Sequence, residues 1–400
     1  MGKNVFPFST FVVKVASRCN LNCTYCYMYN LQDQTYRSQP KRMDLRVARK
    51  MAERIRSHAQ AHDSQAVHII LHGGEPMLLG MEYTREWLEV VRRGVGPSLK
   101  AFFSMQTNGL LVTDEWIDFL ADQKVGVGIS YDGPKHAHDR YRVHHDGRGS
   151  HDEVVAAIER LKRHPRGHEI FSTVLSVVNV NLDPREVWAD FKSLGIYAFD
   201  VLLPHSNHSH EPPQGGWSYR DWLITLFDLW FDDPTPHGLR YFENIIRCLL
   251  RYPFSTDNIG GKPVGVLVIE TNGDYEGTDA LKCTAEGLSK LGRNVMTDEI
   301  DSLYENPFVT RIQQADVPLC ETCRACRASE VCGGGYIPHR YSAEVRGVLR
   351  PGFENPTIYC DAIYGLVEHA YNRVRGSLPA GWLEQTARAR ESELEEAAAV

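Results

Sequence analysis

Arg18-Cys-Asn-Leu-Asn-Cys-Thr-Tyr-Cys-Tyr27 is the stretch that decides how this chain reads. Its cysteines, Cys19, Cys23 and Cys26, are separated by gaps of three and two residues, which lets three thiolates converge on one iron–sulfur cube. A 4Fe–4S cluster ordinarily takes four cysteines, so a triplet leaves one iron open to a small molecule. A zinc knuckle would pair Cys-x2-Cys with a second Cys or His pair close by, and none follows before residue 58. Incidental buried thiols are the bland alternative, and they do not explain the grouping. Of the 10 cysteines, seven fall in two tight sets, the second being Cys320, Cys323, Cys326 and Cys332. Cys360 follows that set, while Cys248 and Cys283 stand apart.

The 400 residues, 42% hydrophobic, suffice for one large domain and a smaller one. A net charge of −7 gives no electrostatic footprint for nucleic acid. The basic runs 46–56 and 162–166 are short and mixed, as on solvated helix faces. No signal-peptide core and no apolar run of membrane-spanning length is present, so the expectation is a cytoplasmic protein with reduced thiols and no membrane partner.

Outward from the triplet, short apolar runs alternate with amphipathic stretches. Strands are expected at 11–16, 67–71, 101–105, 125–130, 171–178 and 199–203, with helices at 45–61, 81–95, 114–123, 152–162 and 184–194. That alternation predicts βαβ units on a parallel sheet, an α/β fold of the partial (β/α)6 TIM-like barrel type. In such barrels, sites form on loops after the strands, where the triplet sits. Residues 205–216 are polar and turn-rich, and His205, His208 and His210 read there as solvated rather than as metal ligands. Helices are expected at 218–231 and 241–250, then a strand pair, 264–270 and 274–276, turning at Asn272-Gly273. The Ala/Glu-rich 383–400 tail reads as an exposed helix.

The Cys-x3-Cys-x2-Cys spacing, with Tyr25 in the aromatic slot before the last cysteine, resembles the radical SAM superfamily. The resemblance implies that S-adenosylmethionine (SAM) chelates the open iron and is cleaved to a 5′-deoxyadenosyl radical. His72-Gly-Gly-Glu-Pro76 resembles that family's motif for the SAM amino group, implicating Gly73, Gly74 and Glu75. Gln106-Thr-Asn-Gly109 and Ser130-Tyr-Asp-Gly-Pro134 follow the next two strands. In anaerobic sulfatase-maturating enzymes and their relatives, the matching Ser130 and Arg142 bind the SAM carboxylate and ribose, and an Arg fork suits a carboxylate. Arg140 is the nearby substitute.

Cys323-x2-Cys326-x5-Cys332 with Cys360 resembles the SPASM extension, which implies an auxiliary 4Fe–4S cluster on those four residues. A zinc ribbon is the alternative, and Cys320 falls outside the pattern. A full SPASM domain holds two auxiliary clusters. Here Gly335 and Tyr336 occupy the stretch where one further cysteine is expected, and Thr278 stands where another is, so one auxiliary cluster is expected. The organisation is then a radical SAM barrel over 1–215, a bridging region over 216–310, a small SPASM-type domain over 311–370 and a tail over 371–400. Asp279 matches the aspartate that deprotonates substrate in the sulfatase-maturating relatives, against a plain helix N-cap. His339 is a second base candidate.

Cys332–Tyr341 and Gly352–Asp361 look like the FxsB-type branch of radical SAM/SPASM peptide maturases. That resemblance implies a ribosomal precursor peptide as substrate, an aromatic ring joined to the β-carbon of a residue two positions on (a three-residue cyclophane), and a flavodoxin or ferredoxin as electron donor. With the first strand near residue 11, leader binding is expected on the barrel, the 205–216 region or a separate protein. Formylglycine formation on a sulfatase and thioether formation in a sactipeptide are the competing activities. A non-enzymatic iron–sulfur scaffold would not need Glu75, Ser130 and Arg142. Anaerobically reconstituted protein should carry about eight irons, four per cube, and Cys19, Cys23 and Cys26 changed to Ala should leave about four; an iron assay reading about twelve would show a second auxiliary cluster.

Overall fold

Every second side chain of Ala66–Gly73 is buried, and this strict alternation is why the segment runs as a central strand, β2. The computed structural model describes residues 5–253, 256–312 and 319–379. They fall into two units. The first takes residues up to 177 with 202–205 and 264–316; the second takes 178–201, 206–263 and those beyond 317. The tail helix expected over 383–400 lies outside the described residues.

In the first unit, β1 (Thr10–Ala16), β2, β3 (Lys100–Thr107), β4 (Val125–Ser130) and β5 (Phe171–Val177) lie in that order, each parallel to the next. In the second, Ala198 and Phe199 of β6 (Ala198–Leu202) pair in parallel with the two-residue β7 (Gly238–Leu239). All six strands expected from the sequence form. The strand expected at 264–270 forms as β8 (Val266–Ile269), but it does more than make a hairpin with β9 (Asp274–Glu276). It also pairs in parallel with β1, Val13 against Ile269, and so widens the sheet on that side. β10 (Lys290–Asn294) adds antiparallel to β9.

Helices Leu45–Ala61 and Met81–Val95 pack on each other, burying Met51, Ala52 and Ile55 from one and Trp87, Leu88 and Val91 from the other. Their starts follow cap chemistry: Asp44 accepts from the Arg46 N–H, and Thr113 from the Trp116 N–H at the helix Asp114–Asp122. Near the chain start, the Phe8 N–H donates to His58 Nε2 at 3.0 Å. That bond uses the Nε2 lone pair and leaves the proton on Nδ1, which faces Asp301 with His62 beside it. The three form a hydrogen-bonded brace.

The loop after β2 turns through Gly73, whose φ is +133°, and a Cβ there would lie 1.9 Å from the Ala16 carbonyl oxygen. Gly73→Ala should therefore destabilise metal-free protein by about 3 kcal/mol in a urea unfolding titration. Burial, together with Lys14, pushes His72 down to about 3; burial, together with Arg142, pushes His138 down to about 2. Both stay neutral when folded but take up protons when unfolded below pH about 6.5, so their stabilisation is full above that value and is lost as pH falls. Unfolding midpoints measured from pH 7.5 down to pH 5 should decline, with a shallower slope for His138→Asn.

Candidate active site

β1 delivers the three cysteines into a tight turn. The Cys26 N–H bonds the Cys23 carbonyl at 3.0 Å, and the Asn30 side chain bonds the same carbonyl at 2.8 Å. Cys23 is buried, while Cys19 and Cys26 are half-buried. Burial first, and then the charges of Glu75 and the other thiols, push Cys19 up to about 12. Burial and Cys23 push Cys26 up to about 11. Desolvated thiols that repel one another ionise together only against a multivalent cationic centre. That donor set fits an iron–sulfur cube and supplies three of its four ligands.

Glu75, with no exposed surface, braces the loop beside the thiols. Its Oε1 accepts from the Met77 N–H at 3.0 Å and the Thr107 hydroxyl at 2.8 Å, and its Oε2 accepts from the Asn108 N–H at 2.8 Å. Burial pushes this carboxyl up despite those donors. Asn108 passes the connection on, donating to the Asn20 side chain at 2.8 Å and reaching Cys19 Sγ at 3.7 Å. One acceptor direction on Oε2 is left for a ligand amine.

Tyr25, Asp132 and Arg142 make a second connected set. Arg142 Nη1 donates to the Tyr25 hydroxyl at 2.9 Å, and that hydroxyl donates to Asp132 Oδ2. Asp132 Oδ1 accepts from the Val177 N–H at 2.9 Å, so the aspartate ties both residues to the sheet. Arg142 is buried, with Nε unpartnered among the described residues. A buried guanidinium with a free N–H suits an anionic ligand. Ser130 accepts from Gln106 Nε2 at 2.9 Å, joining the ends of β3 and β4. Sequence reasoning misses Asp132, whose signal is its place in Ser-x-Asp-Gly-Pro.

Asp279 is no helix cap. Its Oδ2 accepts from Lys14 Nζ at 2.6 Å and from the Tyr27 hydroxyl at 2.6 Å. Lys14, wholly buried on β1, also contacts His72 Nδ1 at 3.0 Å. Burial acts to raise the Asp279 pKa, but Lys14 with the Tyr27 hydroxyl holds the carboxyl well below the usual carboxylate range. His205, read from sequence as solvated, instead stands edge-on to Tyr27 with ring centroids 5.0 Å apart. Of its loop neighbours, His208 is half-buried and donates to the Pro356 carbonyl at 2.7 Å, while His210 is exposed, as the sequence reading expects. Lys14 and Tyr27 were missed from sequence, though a lysine amid Thr-Phe-Val-Val-Lys-Val-Ala signals a buried charge.

In the second unit, Cys323, Cys326, Cys332 and Cys360 line one cavity, and Cys320 is not part of its wall. Burial and neighbouring thiols push Cys323 and Cys332 up to about 12, the same chemistry as at the first triplet. Gly335 has φ of +71°, backbone that a cysteine adopts poorly. Thr278 and the buried Cys283 belong to the first unit. His339 lies in the second unit, buried and edge-on to Tyr336 and Tyr359 at 5.2 and 4.9 Å.

Residues 13–192 match the Radical SAM superfamily. They form a radical SAM domain. The chain is 27% identical over 380 residues to the cysteine-type anaerobic sulfatase-maturating enzyme of Clostridium perfringens (strain 13 / Type A), covering 92% of this chain and 97% of the relative. It is 24% identical over 396 residues to the serine-type enzyme of Bacteroides thetaiotaomicron, covering 91% and 89%. The structure of anSMEcpe with bound AdoMet superposes at a TM-score of 0.78 and 25% identity, covering 92% and 98%. Streptococcus suis SuiB bound to its precursor peptide SuiA shares the fold, with a TM-score of 0.57 at 16% identity over 84% of this chain and 73% of that one. The protein is thus an enzyme of α/β radical SAM fold whose domain uses a 4Fe–4S cluster and SAM. Among the described residues, no helix is long and apolar enough to cross a membrane.

Asp132→Ala should release Tyr25 and Arg142 together. SAM affinity, measured by equilibrium dialysis on reconstituted protein, should fall roughly tenfold while iron content holds.

Proposed function

We propose that the protein is a peptide maturase that joins an aromatic ring to the β-carbon of a residue two positions on in a ribosomal precursor peptide. Cys19, Cys23 and Cys26 hold the SAM-binding cluster; Tyr25, Gly73, Gly74, Glu75, Ser130 and Arg142 surround SAM; Cys323, Cys326, Cys332 and Cys360 hold one auxiliary cluster. When bound, these groups supply a 5′-deoxyadenosyl radical that takes a β-hydrogen atom, and an acceptor for the single electron that the ring gives up. A flavodoxin or ferredoxin suits the external electron supply.

The observation that carries this reading is the Asp279 carboxylate set against Lys14 Nζ and the Tyr27 hydroxyl, each at 2.6 Å. Crosslinking breaks one β-C–H bond, forms one C–C bond and expels one electron and one proton from the ring. A ring carbon that has lost that electron is acidic, and a carboxylate positioned beside it takes its proton. Asp279, held as an anion by Lys14 and Tyr27, is such a base. His339, buried between two tyrosines, suits bracing of the glycine run better than proton transfer.

Formylglycine generation is the second reading. It is favoured by similarity that spans 97% of a sulfatase-maturating enzyme. Gly335 and Tyr336, in the stretch where one further cluster ligand would stand, and Thr278, where another would, weigh against it.

Asp279→Asn should keep 5′-deoxyadenosine production and lower crosslinked peptide by about 100-fold or more, followed by mass spectrometry. Lys14→Met removes the cation that keeps Asp279 charged, so the carboxyl pKa rises and the acid limb of the crosslinking rate should move to higher pH. An unmoved limb, with conversion of a sulfatase-type cysteine peptide, would favour the second reading.

A further inference from the structure

The Tyr29 hydroxyl is buried and has no hydrogen-bond partner among the described residues. A buried phenol ordinarily finds one, because an unmet O–H costs on the order of 1–3 kcal/mol. Tyr29 lies on the turn that closes the cysteine loop, where its own N–H bonds the Cys26 carbonyl at 3.2 Å. The ring stands edge-on to Tyr36, with centroids 4.7 Å apart and planes at 86°, and this packing fixes the direction of the C–O bond.

That bond points at the Gly-Gly-Glu turn. A Cβ placed on Gly74 would fall 2.0 Å from the Tyr29 oxygen and 2.3 Å from the Arg18 carbonyl. Gly74 is therefore glycine at least partly to admit this hydroxyl, since any side chain would displace it. Burial pushes this phenol up, and the Cys19 and Cys26 thiols add to that push. The hydroxyl thus lies against the Gly74 backbone, on a residue whose own N–H is tied to the Cys26 carbonyl, with its proton unspent.

We infer that Tyr29 is a positioning residue that donates its O–H to the sulfur edge of the 4Fe–4S cluster carried by Cys19, Cys23 and Cys26. The inference rests on those three cysteines as ligands. A hydrogen bond to cluster sulfur spreads negative charge and favours the reduced state, so it raises the midpoint potential. The reduced state is the one that SAM cleavage requires.

Tyr29→Phe in the full chain, reconstituted anaerobically, tests this directly. Iron and sulfide should match the parent, and an EPR-monitored redox titration without SAM should place the midpoint at a more negative potential. After exchange into D2O, a deuteron coupled to the cluster should appear in the parent by ENDOR and vanish in the variant. Metal-free Tyr29→Phe should melt at or above the parent's temperature, because the hydroxyl lacks a protein partner. An unchanged midpoint with the deuteron retained overturns the inference, as does a lower melting temperature, which marks a structural hydroxyl. A shift that appears only once SAM is added also overturns it, by assigning the proton to the SAM carboxylate. Failure of the parent itself to bind iron at the triplet would sink the ligand assignment instead, and the iron assay separates the two.

Discussion

A lysine with no exposed surface has to be met by an anion, and Lys14 meets Asp279 at 2.6 Å. The pair joins positions 265 residues apart, which draws the Asp279 turn onto the strand that carries the cysteine loop. Its net energy is small, because desolvating two ions offsets most of their attraction; its value lies in specifying one arrangement. Parallel pairing of β8 with β1 makes that arrangement possible. A second buried lysine holds the same turn from its other end: Lys282 contacts Glu276 at 2.8 Å and Glu270 at 3.2 Å. Burial and the Glu270 charge push Glu276 up to about 7, whereas Lys14 and Tyr27 hold Asp279 well below the usual carboxylate range.

Three acids on this face, Glu75 and Asp132 buried and Asp279 half-buried, differ because their partners differ. Glu75 is met mostly by neutral donors of the chain and is pushed up by burial. Burial also pushes Asp132 up, against the pull of Arg142, and its hydrogen bonds hold an aromatic ring and a guanidinium in place. Only Asp279 touches a full cation directly, and only it is driven strongly toward the ionised form. The distribution gives each carboxylate one role: bracing a loop, orienting ligand contacts, and receiving a proton.

Much of this was legible along the sequence. Strand–helix alternation is a local, periodic signal, and the first six strands appear within a residue or two of their expected ends. The cysteine spacings are equally local, and Cys323, Cys326, Cys332 and Cys360 do line one cavity. The reach of β8 was not legible, because a hairpin reads the same whether or not its outer edge finds β1. His205 looked solvated because its neighbours in sequence are polar, whereas its ring contact is Tyr27, from another loop. Lys14 read as one residue of a strand, since its partner lies far along the chain. The glycines of the Gly-Gly-Glu turn were expected to admit a ligand; the Ala16 and Arg18 carbonyls and the Tyr29 hydroxyl already occupy the space beside them.

The most direct test of the account is the product made anaerobically from a precursor peptide that holds an aromatic residue and, two positions on, a residue with a β-hydrogen. With SAM and reductant present, tandem mass spectrometry should find the loss of two hydrogens, with backbone fragments missing between those two residues. Conversion of a cysteine or serine to formylglycine, with the aromatic residue untouched, would contradict it.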